Sequence, residues 1–203
     1  MKVALIGATG NAGSRILAEL ARRGDEVTAI VRHPEKVPAL PHVTAKQGDV
    51  FDQDGLARLL TGHDAVISAI HFTDSDPRKL IEAVRASGAK RYLVVGGAGS
   101  LEVAPGQRLV DTPNFPPQYK AEALKGGEFL ALLRQEQELN WTFLCPSAMF
   151  VPGERTGKFR LGTDQLLVDD KGKGWISFED FAVALVDELE RPAHERRRFT
   201  VGY

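Results

Sequence analysis

The sequence lacks three features that would mark an extracellular, membrane or nucleic-acid-binding protein. Its only cysteine is Cys145, so no disulfide can form within the chain, and a cytoplasmic location is the simplest expectation. No apolar run is long enough to cross a bilayer, and an apolar strand pattern starts at once, which leaves no room for a signal peptide. The 26 basic and 27 acidic residues give a net charge of −1. That balance provides no electrostatic basis for binding nucleic acid or a membrane surface.

Internal repeats, low-complexity tracts and linkers are also missing. The 203 residues, of which 43% are hydrophobic and 26% charged, are typical of one globular domain with a sizeable core. We therefore expect a single domain over residues 1–203, with a small molecule as its partner and a monomeric or homodimeric state.

Glycine, in contrast, is plentiful, and it is regularly spaced near the start of the chain. The apolar run Lys2–Ile6 predicts a buried strand, and Gly7, Gly10 and Gly13 follow at three-residue intervals. Apolar residues then recur on one helical face, at Ile16, Leu17, Leu20 and Ala21. A strand, a glycine turn and a helix form the context in which a glycine motif indicates a dinucleotide site.

Each glycine has a predicted role in such a site. Gly7 permits the tight turn, Gly10 lets the backbone approach a pyrophosphate, and Gly13 lets the helix pack closely on the strand. The alternative is a glycine-rich turn without a ligand. The predicted cofactor-binding residues of this motif are Gly7, Thr9, Gly10, Asn11, Ala12 and Gly13.

Strand and helix patterns alternate along the rest of the chain. Strands are predicted over residues 26–31, 43–47, 65–70, 91–96, 141–145 and 198–201. Helices are predicted over residues 53–60, 77–87, from 116 to about 138, and from 176 onward. Residues 101–115 are expected to form a long loop. The alternation predicts an α/β fold, a Rossmann-like doubly wound parallel sheet, with a small substrate-side insertion at about residues 146–175.

The turn after the second strand indicates the type of cofactor. An acid there would bind the ribose 2′-hydroxyl of NAD, but the chain has Arg32, with His33 and Lys36 nearby. A guanidinium can bind a 2′-phosphate through paired charge-assisted hydrogen bonds. NADP is therefore favoured and NAD remains open. Alternatively, Arg32 caps the turn or stacks on the adenine.

Other predicted contacts lie where later strands end. Asp49 and Val50 fall near the adenine position or form an ordinary turn beside a helix capped by Asp52. The small residues Ser68 and Ala69, with Ile70, would admit the cofactor ribose. The remaining predicted cofactor contacts are Gly97, Lys120, Pro146 and Ser147. The predicted substrate pocket comprises His71, Ala98, Cys145 and Met149, although His71 is also read as a loop residue and Cys145 as a packing residue.

Several segments together resemble one family. They are Gly7–Gly13, Trp141–Ser147, Arg155–Gly162, Ile176–Ala182 and Arg198–Tyr203. These resemble bacterial NAD(P)H-binding proteins of the NADH-flavin reductase type, which belong to the atypical short-chain dehydrogenase/reductases. The group is similar to biliverdin-IXβ/flavin reductase and to NmrA-like proteins. The resemblance covers essentially the whole chain and implies a Rossmann fold.

One departure from the related extended dehydrogenases concerns catalysis. Those enzymes carry a Tyr-x-x-x-Lys pair, but if Lys120 is the lysine, the tyrosine position is Pro116. Tyr119 is adjacent to Lys120 and points about 100° away on a helix. The usual serine position matches Ala98, and Ser100 is displaced from it. Lys120 and Ser100 are therefore the candidate catalytic residues of an incomplete set.

An intact cofactor site without the tyrosine favours an acceptor that takes hydride readily. We expect an NADPH-dependent oxidoreductase acting on a flavin, with FMN or FAD as substrate, or on a quinone or similar planar acceptor. A non-catalytic NADP-sensing regulator is the first alternative. A nucleotide-sugar epimerase or dehydratase is the second, and the missing tyrosine and short C-terminal region argue against it. No metal site is predicted.

Overall fold

A computed structural model describes all residues, 1–203. Its strands are β1 (Lys2–Ile6), β2 (Glu26–Val31), β3 (Val43–Gln47), β4 (Ala65–Ser68), β5 (Arg91–Val95), β6 (Glu102–Ala104), β7 (Gln107–Arg108), β8 (Asn140–Pro146), β9 (Met149–Val151), β10 (Arg160–Gly162), β11 (Trp175–Ser177) and β12 (Arg197–Gly202). Its α-helices are α1 (Asn11–Arg23), α2 (Gln53–Leu60), α3 (Pro77–Ser87), α4 (Lys120–Leu133) and α5 (Phe178–Glu190). None of the five is long and apolar enough to span a membrane.

Eight strands form one sheet in the order β10-β12-β8-β5-β4-β1-β2-β3. All neighbouring pairs are parallel except β10 with β12. The strand order reverses between β1 and β4, which is the topological switch point of a doubly wound sheet. The predicted fold class is confirmed.

Helices cover both faces of this sheet, and each face has its own core. On β1, Val3 and Leu5 pack into the core beneath α1 and α5. Ala4 and Ile6 pack into the core beneath α2, α3 and α4. Because successive strand residues point to opposite faces, a strand buried on both sides is apolar throughout. This explains the continuous apolar run at the start of the chain.

Helix α4 is shorter than its apolar pattern predicts. Prolines precede it, and a 3₁₀ turn at Pro117–Tyr119 delays the helix to Lys120. At the other end it stops at Leu133, because the carboxylate of Glu136 accepts the backbone N–H groups of Glu138 and Leu139 and turns the chain. The predicted bounds of 116 and about 138 were therefore wrong by several residues.

Two segments for which no strands were predicted contain short strands. Residues 101–115 include the antiparallel hairpin β6–β7 and a 3₁₀ turn at Leu109–Asp111. Within residues 146–175, β9 pairs in parallel with β11, while β10 joins the main sheet beside β12. The substrate-side region is thus built partly onto the sheet edge.

Candidate functional site

The glycine turn lies at the switch point of the sheet, between the carboxyl ends of β1 and β4. Gly7 has a φ of +83°, and its N–H donates to the carbonyl of Ile30. A Cβ at Gly7 would lie 2.5 Å from the carbonyl oxygen of Ala69, and one at Gly13 would lie 2.1 Å from that of Gly7. The fold itself therefore requires glycine at both positions.

Gly10 differs from the other two glycines of the motif. Its φ of −73° is accessible to any residue. The atoms nearest to a Cβ added at Gly10 would lie 3.5 and 3.9 Å from it. Nothing in the protein excludes a side chain there, and the residue is exposed. A glycine that packing does not explain leaves room for a ligand to approach the backbone.

Helix α1 begins at this open position without a side-chain cap. Gly10 is its N-cap, no acid lies in its first turn, and the N–H groups of Asn11, Ala12 and Gly13 have no hydrogen-bond partner. By contrast, Asp52, Asp76 and Ser177 cap α2, α3 and α5. Free N–H groups and the positive end of the helix dipole attract anionic groups such as phosphate.

Arg32 follows β2 on the same edge of the sheet. Its side chain is exposed and pairs with no carboxylate, while its carbonyl accepts Nε2 of Gln47. Lys36 also makes no ion pair, and His33 Nδ1 lies 3.2 Å from Glu35 Oε1. Two cationic side chains thus remain available after β2, and their contact with a 2′-phosphate stays a prediction.

The turn after β3 has the geometry of an ordinary turn beside a capped helix, which was one of its two interpretations. Asp49 is exposed and accepts the N–H of Phe51, while Val50 packs on the sheet core. Asp52 accepts the N–H of Gly55 and so caps α2. A cofactor contact at Asp49 and Val50 stays a prediction.

The end of β4 approaches the glycine turn closely. Ala69 and Ile70 are half-buried, and both lie within contact distance of a Cβ built on Gly7. Ser68 does not open into the cleft, because its side chain is buried and shares a hydrogen bond with the hydroxyl of Tyr92. The hydroxyl of Ser68 is thus used inside the fold, and contacts of Ser68, Ala69 and Ile70 with the cofactor ribose stay predictions.

His71 extends from this same edge and is not isolated. Its side chain is 79% exposed, and Nδ1 lies 3.3 Å from Oε1 of Glu122 in the first turn of α4. Glu122 also accepts the N–H groups of Phe72 and Thr73 and the hydroxyl of Thr73. The sequence offered no signal for this partner, since Glu122 is 51 residues away.

The loop after β5 contains Gly97 and Ala98, both half-buried. Ser100, two residues farther, is turned toward the protein: its carbonyl and hydroxyl oxygens accept Nη1 of Arg198 at 3.1 and 3.2 Å. Arg198 also pairs with Asp164. The candidate catalytic Ser100 therefore anchors a loop instead of opening into the cleft.

Three predicted residues at the carboxyl end of β8 are enclosed. Cys145, Pro146 and Ser147 are buried, and Ser147 donates to the carbonyls of Leu167 and Val201 through its hydroxyl and its N–H. Burial raises the pKa of the Cys145 thiol to about 11, so it stays protonated. Cys145 is a packing residue, as one interpretation held, and the pocket-facing placement expected for Cys145 and Ser147 was wrong. Met149 is 45% exposed and stays available to a substrate.

All three tyrosines of the chain are accounted for. Tyr92 is fully buried, which raises the pKa of its phenol. Tyr203 donates to Asp180 and shares a hydrogen bond with Ser177. Tyr119 is 61% exposed and directly precedes Lys120, which is also exposed. No tyrosine lies four residues before Lys120, where Pro116 stands, so the dehydrogenase proton donor is missing from the site.

Within the predicted substrate-side insertion, residues 152–158 (the strap) are held against α1 and α5, and the sequence did not predict these contacts. Arg155 forms a two-pronged ion pair with Glu19 of α1, at 2.8 and 3.0 Å. Burial alone would raise the pKa of Glu19, but hydrogen bonds from Arg155, Arg22 and Arg23 hold it well below its usual range. The strap is thus anchored by a charged group that stays ionised.

The strap is also fixed near the start of α1. Glu179 accepts the N–H of Gly153 through one oxygen and Nε of Arg15 through the other. Buried Asp180 accepts the N–H of Gly157 and the hydroxyl of Thr156. Because Arg15 lies on the first turns of α1, these contacts bring the substrate-side region to the phosphate-binding end of the cleft.

These features match a known family. A family model described as NAD(P)H-binding matches residues 7–192. The chain belongs to this NAD(P)H-binding family. The match begins at Gly7 and includes the glycine turn, α1, His71 and the strap, which confirms the resemblance drawn from the sequence.

Individual relatives of the NAD(P)H-binding family cover the whole chain. The chain is 44% identical to the uncharacterized protein YwnB of Bacillus subtilis (strain 168), over 99% of this chain and 98% of that protein. A crystal structure named as a putative epimerase from Bacteroides thetaiotaomicron is 45% identical with a TM-score of 0.95, over 100% and 96% of the two chains. One named as a putative NADH-flavin reductase from Streptococcus pneumoniae TIGR4 is 40% identical with a TM-score of 0.84, over 100% and 99%.

The two structures carry names for different reactions. The comparisons therefore establish an NAD(P)H-binding, oxidoreductase-like fold and leave the acceptor open. Which residues contact the cofactor, and which compartment holds the protein, stay predictions.

Proposed function

We propose that this protein is an NADPH-dependent reductase that transfers hydride to a flavin, a quinone or a similar planar acceptor. The observation that carries the proposal is the open glycine at Gly10 together with the uncapped start of α1. The residues present fit a dinucleotide: free N–H groups for the pyrophosphate, and space where a side chain would otherwise stand. When bound, the dinucleotide supplies the hydride.

The preference for NADPH is supported by charge. Arg32 and Lys36 follow β2 and pair with no carboxylate. An ordered arginine can hold a 2′-phosphate at this position, whereas NAD binding commonly uses an acid that this chain does not have there. Asp49 lies at the end of the adjacent strand β3, but its carboxylate accepts a local backbone N–H.

The class of acceptor is supported by the absence of a tyrosine acid from the site. Reduction of a simple ketone relies on a placed tyrosine acid, and none of the three tyrosines occupies that position. Flavins and quinones accept hydride more readily, so orientation of the two reactants supplies much of the rate. The same deficiency argues against nucleotide-sugar epimerisation, despite the name given to one structural relative.

The test is a two-part assay on the purified protein. Calorimetry measures the affinities for NADPH and NADH, and loss of NADPH absorbance measures turnover with FMN, FAD, a benzoquinone and a simple ketone. We expect tighter NADPH binding and turnover with the planar acceptors but not with the ketone. Binding without turnover on any acceptor would identify an NADP-sensing protein instead. Absence of binding would overturn the proposal.

A further inference from the structure

The proposed reduction leaves one step without a residue, the delivery of a proton to the reduced acceptor. No tyrosine is placed for it, Ser100 is bound to Arg198, and the thiol of Cys145 is buried in the core. Histidine is the residue type that exchanges protons near neutral pH. His33, at the same edge, follows β2 beside the predicted adenine ribose, whereas His71 follows β4 beside the glycine turn. It lies directly after Ala69 and Ile70, which contact the glycine turn.

We propose that His71, oriented by Glu122, is the proton donor of this reductase. The proposal rests on the function proposed above and adds a residue pair to it. The carboxylate of Glu122 only accepts hydrogen bonds, so Nδ1 of His71 must carry the hydrogen between them. That assigns the exposed Nε2 as the nitrogen that faces solvent and loads or releases the second proton.

Glu122 is itself rigidly placed, which makes it a positioning residue. Its two oxygens accept the N–H of Phe72 at 2.7 Å, the N–H of Thr73 at 2.9 Å and the hydroxyl of Thr73 at 2.9 Å. The turn that carries His71 is also closed by Ser75, whose hydroxyl donates to the carbonyl of His71. His71 is therefore held at its backbone carbonyl and at Nδ1, while Nε2 makes no hydrogen bond within the protein.

The charged surroundings of His71 are few. From α4, Glu122 contacts the ring, and Lys120 lies two positions earlier on the same helix. The turn that carries His71 also contains the acid Asp74, whose backbone N–H donates to the carbonyl of His71. The charged group that contacts the ring is thus a carboxylate.

A hydride and a proton together reduce the acceptor by two electrons. The acceptor receives a hydride, with two electrons, from the reduced nicotinamide, and a proton from Nε2 of the imidazolium. The C–H bond of the nicotinamide and the Nε2–H bond break, and two bonds to hydrogen form on the acceptor. The neutral imidazole regains its proton from water, to which Nε2 is exposed.

The experiment compares His71→Asn with the native protein. Asparagine can keep a donor near Glu122 but has no proton to transfer. Turnover of NADPH with a benzoquinone should fall by about 100-fold, with unchanged NADPH affinity and melting temperature. The native rate should decline as pH rises through the range in which histidine loses its proton and should slow in D₂O, whereas the variant should show neither effect. His42→Asn, at another exposed histidine at the amino end of β3, is the matched control and should behave as the native protein.

Glu122→Gln supplies a second, independent arm. One oxygen of Glu122 serves Nδ1 of His71 and the N–H of Phe72, and the other serves Thr73. The amide has a single acceptor oxygen and cannot serve both sides, so the orientation of His71 should weaken, and kcat should fall while KM for NADPH holds. A His71→Asn variant with native turnover and an unchanged pH profile would overturn this inference alone. If the native protein oxidises no NADPH with any acceptor, the proposed function fails, and the inference fails with it.

Discussion

The substitution Gly10→Val separates the needs of the ligand from those of the fold. A Cβ at Gly10 meets only carbonyl oxygens at 3.5 and 3.9 Å, which is ordinary van der Waals contact, and its φ of −73° suits any residue. The loss of a favourable N-cap residue costs at most about 1 kcal/mol. For a chain of this size the melting temperature should fall by no more than roughly 2–4 °C.

The effect of Gly10→Val on the affinity for the dinucleotide should be much larger than its effect on stability. A side chain at Gly10 occupies the space in which phosphates reach the free N–H groups of α1. Loss of two charge-assisted hydrogen bonds, at roughly 1.5–3 kcal/mol each, weakens binding by at least about 100-fold. Isothermal titration calorimetry with NADPH measures this directly.

Gly13→Ala provides the opposite control. Its Cβ would lie 2.1 Å from the carbonyl oxygen of Gly7, so the helix must shift from the strand. We expect a cost of about 2–3 kcal/mol and a melting temperature lower by roughly 5–10 °C. Native NADPH affinity in folded Gly10→Val would refute the phosphate assignment, and a melting temperature as low as that of Gly13→Ala would refute the claim of free space.

Three further predictions concern selectivity, catalysis and acid stability. Arg32→Ala should weaken NADPH by about ten- to hundredfold in calorimetry and leave NADH nearly unchanged, because only NADPH carries the 2′-phosphate; equal losses would mean stacking on the adenine. Tyr119→Phe should keep most reductase activity in a steady-state assay, and a loss of about 100-fold with unchanged binding would indicate a tyrosine acid. Glu19 has a pKa lowered by its arginines, so its contribution to stability is present above its ordinary value of 4.5 and is lost as pH falls below it. Chemical denaturation across pH should show a smaller acid-induced loss for Glu19→Gln, and identical profiles would contradict the anchoring role of the strap.

Patterns within short stretches predicted the main elements closely. Helices α2 and α3 have the predicted bounds, and the closing strand extends its prediction by one residue at each end. These elements carry strong local signals: apolar periodicity, Asp52 and Asp76 as caps, and Gly88 in a left-handed conformation as a stop. Predictions failed where the signal was not local. The ends of α4, for example, depend on a preceding 3₁₀ turn and on a carboxylate that captures later N–H groups.

The sequence by itself determined the α/β fold, the glycine turn and the missing tyrosine, because each rests on residue types at fixed spacing along one stretch of chain. Only the tertiary structure decided which polar groups the fold uses internally. It buried Ser147 and Cys145, bound Ser100 to Arg198 across 98 residues, and joined Arg155 to Glu19 across 136. It also set Glu122 beside His71. Such pairs depend on how helices and loops meet over the sheet, and a side chain reaches its partner only after the apolar layers have packed and fixed that geometry.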